Sequence, residues 1–182
     1  MLFARRHMLS LFKIPVFYVQ LSAERVLARN PQNGTQISEA ADLATRSSAD
    51  GKTKIVAIGN EARLAAAQDA SVQLHQPLSH PRTLIADFVM AEALLQYCLR
   101  KLVGKPGLFM PSPRLILQPH QPSEGGLTQV ELRALNELGL SAGASKVQIW
   151  QGAEWNDEQL LSGKVPAAGA FLSEAAATRR AR

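Results

Sequence analysis

The sequence has 182 residues, 46% hydrophobic and 19% charged, which suits one domain with a real core and excludes a disordered chain. Its net charge is +5 with a pI of 9.7, and the excess lies largely at the two ends, at Arg5, Arg6 and Lys13 and at Arg179, Arg180 and Arg182. That charge suits an anionic partner such as lipid headgroups, while the lack of a central basic stripe interleaved with aromatics argues against nucleic acid. The single cysteine, Cys98, excludes an internal disulfide and fits a reducing compartment, and no apolar run reaches the roughly 18 residues of a membrane span.

The opening 1–13, MLFARRHMLSLFK, reads as an amphipathic helix. Met1, Leu2, Met8, Leu9, Leu11 and Phe12 gather on one side and Arg6, His7, Ser10 and Lys13 on the other. No long apolar core or small-x-small cleavage site follows, so a secretory signal does not fit. Pro15 ends that segment, and VFYVQLSAERVLAR (16–29) reads as two strands meeting at the corner Ser22-Ala23-Glu24. A hairpin this early in an α/β chain is a common place for a phosphate loop, but such a loop needs glycine and an acid to organise a metal ion, and this corner has neither.

Asn30 to Lys52 is polar and is expected to be loop with an edge strand near Ile37. Lys54 to Ile58 reads as a strand, Gly59-Asn60 as a turn, Glu61 to Gln68 as a helix, and LHQPLSHPR (74–82) as an irregular connection. The strongest helix signal follows Asp87, its N-cap. Ala91, Leu94, Leu95, Cys98 and Leu102 form an apolar stripe, Glu92, Gln96 and Arg100 a polar row, and Gly104 the stop. PRLILQ (113–118) reads as a buried strand. Thr128 and Glu131 form a capping box, with Leu127 and Leu132 as its hydrophobic staple and Gly139 as the helix end. SKVQIWQG (145–152) is a further strand, and residues 156–182 read as an Ala-rich basic tail with a short helix. The order is that of a mixed α/β sheet with packed helices.

Few residues here suggest chemistry. His7, His75, His80 and His120 lack metal-ligand spacing, Cys98 lies on an apolar stripe, and no serine sits in a nucleophile elbow. Trp150 and Trp155 bracket the end of the last strand, either as a contact surface or as core.

Four strings in order carry a resemblance. RTLIADFVMAEALLQYCLRKLV, PSPRLILQP, LTQVELRALNELGLSAGASKVQI and KIVAIGNEA resemble segments of the MreB-like bacterial actin family, from the N-terminus to about Trp155. The resemblance implies an actin-like (ribonuclease H-like) mixed sheet covering roughly the first half of the actin fold. Its parts would be the amphipathic segment 1–13, the body 14–155 with a small loop-rich lobe at about 30–81, and the tail 156–182. In that alignment the family's phosphate loop DLGT falls on Gln20, Leu21, Ser22 and Ala23, so its Asp, Gly and Thr are all replaced. The family's EEP motif, whose glutamate positions the attacking water, falls on Gln151-Gly152-Ala153. The family binds ATP, yet the expectation here is no cofactor, no metal and no catalysis. The function implied is that of a cytoplasmic, membrane-peripheral protein of the cell-shape cytoskeleton, and the alternative is an ATP-binding actin-like filament protein. Partners would be an anionic membrane, met by Leu2, Arg6, Met8, Leu9, Leu11, Phe12 and Lys13, and a full-length actin-like filament protein or a second copy. Without the fold's second half, apolar surface is expected to need a cover that the tail is too poor in large apolar groups to supply.

Overall fold

The computed structural model describes residues 14–103, 111–120 and 126–172. The segment 1–13, with the seven residues assigned to membrane contact, lies outside them, as does Gly104. Alternation of apolar and polar positions sets up the first hairpin. In β1 (Val16–Leu21) and β2 (Arg25–Asn30), Phe17, Val19, Leu21, Val26 and Ala28 point to one side of the sheet and are buried. β3 (Thr35–Ala40) continues the antiparallel meander. β1 then pairs in parallel with β7 (Arg114–Pro119), and β7 with β8 (Lys146–Gly152). Parallel neighbours need long crossovers. The helices α2 (Phe88–Val103) and α3 (Gln129–Ser141) lie in these connections. β9 (Gly169–Leu172) closes the far edge, giving the order β3-β2-β1-β7-β8-β9.

Both long helices cover one face of this sheet. The stripe Ala91, Leu94, Leu95, Cys98 and Leu102 on α2, and Leu132, Leu135 and Leu138 on α3, share one core with the inward positions of β1, β2, β7 and β8. Asp87 caps α2 by accepting from the Met90 amide at 2.9 Å, and the Thr128–Glu131 box caps α3 reciprocally. On the opposite face, α4 (Asp157–Ser162) contributes Leu160 to a smaller cluster with Tyr18, Ile116, Trp150 and Trp155. Trp150 meets Trp155 edge-on at 5.3 Å and Phe171 of β9 at 5.1 Å, so both tryptophans are core.

The small lobe has a three-stranded sheet, with β4 (Leu43–Ser47) between β5 (Thr53–Ile58) and β6 (Val72–His75), under α1 (Asn60–Gln68). Its core is small, with Ala44, Ala62 and Val72 against Ala57, Ala65 and Ala66. Glu39 ties the lobe to the body. Its buried carboxylate accepts from Lys101 Nζ of α2 and from the Asn60 amide at 2.9 Å. That bond, with Tyr97 beside it, holds the Lys101 ammonium above the usual lysine range.

Four expectations change. The stretch Asn30–Lys52 holds β3 and β4 rather than mostly loop, and LHQPLSHPR begins inside β6. Gly139 does not end α3, which continues to Ser141. It is a glycine because a Cβ there would lie 2.5 Å from Val147 Cγ2 of β8. The segment read as a tail includes β9, and its Phe171 packs on Trp150.

Candidate functional site

The hairpin corner closes on itself. The Ser22 amide donates to the Arg25 carbonyl at 3.0 Å, the Ser22 hydroxyl donates to that same carbonyl at 2.9 Å, and the Arg25 amide donates to Ser22 Oγ at 3.0 Å. Of the four residues aligned with the phosphate loop, Leu21 is core, Ala23 is the exposed tip, Ser22 makes the turn, and Gln20 points to the sheet face opposite α2 and α3.

Gln20 joins a polar chain that the sequence reading missed. It stands beside Gln118 in the parallel register of β1 and β7. Tyr18 donates its hydroxyl to Gln118 Oε1, and Gln118 Nε2 donates to the Gly152 carbonyl at 2.7 Å. Gln20 Nε2 donates to Glu154 Oε1 at 2.9 Å and lies 3.2 Å from His120 Nε2. Burial pushes the Tyr18 phenol above its ordinary value. The acid read as lost at Gln151-Gly152-Ala153 thus has a neighbour at the site. At Gly152 β8 meets β9 so closely that a Cβ would clash with Ala168 and Gly169. The Ala153 amide then bonds the Ala168 carbonyl at 2.7 Å, and Glu154 follows at Gln20. The legible signal was polar residues at matching positions of two otherwise apolar strands, VFYVQL and RLILQP.

A cavity of about 280 Å³ lies over this corner, lined by Gln20, Ser22, Glu24, Arg25, His120 and Glu154 among others. Its donor set does not match a magnesium–triphosphate. The amides of Ser22 and Arg25 are spent inside the turn, Gln20 brings no charge, and Glu24 and Glu154 repel phosphate oxygens. Among the described residues, no group of three His, Cys, Asp or Glu could hold a metal ion, and no helix is long and apolar enough to cross a membrane.

The fold and the four sequence strings agree with what comparison finds. The sequence profile of the MreB/Mbl protein family matches residues 17–154. The chain belongs to the MreB/Mbl family. It is 33% identical over 134 residues to the cell shape-determining protein MreB of Haemophilus influenzae, and 31% identical over 133 residues to that of Pasteurella multocida. These alignments take in 72% of this chain but 36% of each relative, so the chain spans about a third of the length of the MreB proteins it matches. Among solved structures, MreB5 of Spiroplasma citri bound to ADP superposes with a TM-score of 0.58 at 21% identity, over 75% of this chain and 38% of that one. A non-polymerising A278D mutant of MamK bound to AMPPNP gives 0.58 at 11% identity, over 76% and 41%. The fold is therefore actin-like, and this MreB-family chain holds the first part of it.

Proposed function

We propose that this chain is a non-catalytic MreB-family component of the cell-shape machinery, working at the cytoplasmic face of the membrane through contacts with lipid and with other actin-like protomers. The observation that carries this reading is the hairpin corner. The Ser22 and Arg25 amides are committed to the turn, and Gln20 uses its side-chain amide on Glu154 where the family's loop has an acid. Metal organisation and water positioning each supply several kcal/mol to phosphoryl transfer. A site lacking the groups for both releases no phosphate. The partner part of the proposal draws on MamK, a relative in fold solved as a double helical filament.

Purified protein incubated with magnesium–ATP tests the reading. The expected result is phosphate release at background, for the native chain and for a Gln20→Ala variant alike. A second reading, nucleotide turnover in the same cleft, is favoured by Glu154, which still faces the cavity. Magnesium-dependent release that disappears in Glu154→Gln selects that reading and overturns the first.

A further inference from the structure

The turn between β2 and β3 holds a reactive pair. Of the five asparagines in the sequence, Asn33 alone is followed by glycine. Asn30 precedes Pro31, which has no N–H, and Asn60, Asn136 and Asn156 each precede an acid. Glycine carries no Cβ to shield its nitrogen from the side chain before it. The turn sets Gly34 at φ 72°, and both Asn33 and Gly34 are exposed.

The same turn holds the end of α2. The last carbonyls of a helix lack partners within it. The Leu102 carbonyl, next to the last residue of α2, accepts from Asn33 Nδ2 at 3.2 Å and from the buried Asn30 Nδ2 at 3.3 Å. Asn33 Oδ1 accepts from the Thr35 amide at 2.9 Å, and the Gly34 amide donates to the Asn30 carbonyl at 3.0 Å. Asn33 is thus a donor at the negative end of the helix, where a carboxylate is unfavourable. Lys101, a cation of that last turn, is committed to Glu39.

We propose that Asn33 is a site of spontaneous deamidation in the folded protein, and that the product uncaps α2. When the turn opens, the Gly34 nitrogen gives its proton to hydroxide and bonds to Asn33 Cγ. The bond from Cγ to Nδ2 breaks, and the nitrogen leaves as ammonia after taking a proton from water. Water then opens the cyclic imide at either carbonyl, giving aspartate or isoaspartate. Both replace the Nδ2 donor with a carboxylate, and isoaspartate also lengthens the main chain across the turn. The hydrogen bond of the Gly34 amide slows the reaction rather than preventing it, because an exposed turn opens far more often than the whole fold.

The test holds the purified full chain in mildly alkaline buffer, folded and in urea, and follows each asparagine-containing peptide by mass spectrometry. The proposal expects the mass gain of an amide-to-acid change at Asn33 in the folded protein, several-fold slower than in urea and ahead of every other asparagine. It also expects aged protein and an Asn33→Asp variant to share a lowered thermal midpoint and faster amide exchange in the last turn of α2. Asn33 left intact in folded protein while it reacts in urea overturns the modification site. Native midpoint and native exchange in Asn33→Asp overturn the uncapping.

Discussion

Gly139 shows how a single hydrogen can be a packing requirement. It lies inside α3, where glycine is normally unfavourable, and faces Val147 Cγ2 at a distance that leaves no room for a methyl group. Gly139→Ala is therefore expected to destabilise the fold by about 1–3 kcal/mol despite the better helix propensity of alanine, as measured by urea unfolding. Cys98 is the opposite case, a residue whose role was plain from its place on the α2 stripe. Burial, with Glu39 nearby, pushes its thiol from an ordinary 9.0 up to about 12. The folded state thus holds that proton more tightly than the unfolded chain. The thiol's contribution to stability is complete below about pH 9 and is lost as pH rises towards 12. Iodoacetamide at pH 8 is expected to leave Cys98 unmodified in folded protein and to label it in urea, as mass spectrometry would show. The Gln20 chain was only half legible. Gln20 itself was found, as were the replaced loop residues. Gln118 stands out as a polar residue in an apolar strand, but its pairing with Gln20, like the approach of His120 and Glu154, comes from strand register and from the turn after Gly152, which no local pattern encodes.

At the scale of elements, capping signals proved the most readable. Thr128 and Glu131 form the reciprocal pair that their spacing implies, and Thr128→Ala is expected to cost about 1 kcal/mol in the same unfolding assay. The elements that escaped the sequence reading are short and poor in large β-branched residues. β4 reads LATRS, and β9 reads GAFL, with glycines at its contact with β8. Their burial comes from neighbours rather than from their own periodicity. β9 is anchored by Phe171 in the tryptophan cluster, so Trp155→Ala should do more than lose area. It is expected to remove about 3 kcal/mol and to release β9 from β8, read as faster amide exchange across Gly169–Leu172.

For the whole molecule, the expectation of a bare apolar wall changes character. Among the described residues, the part of the large sheet left open is mostly polar, with Leu27 as its main apolar group, and β9 with Phe171 covers the tryptophans. The membrane contact proposed for residues 1–13 is tested separately. Co-sedimentation with vesicles containing anionic lipid is expected to weaken several-fold when those residues are deleted, and binding that survives the deletion would assign the lipid contact elsewhere.

β1 lies between β2, which follows it after a three-residue corner, and β7, whose paired residues come 98 positions later. A ribosome making this chain releases the hairpin early. One edge of β1 is sealed almost at once, while the other stays unpaired until β7 is made. A strand edge left unpaired that long is a template for wrong partners. The nascent chain is accordingly expected to engage holdase chaperones, and slowing translation before β7 is expected to raise the aggregated fraction, as pelleting of newly made protein would show.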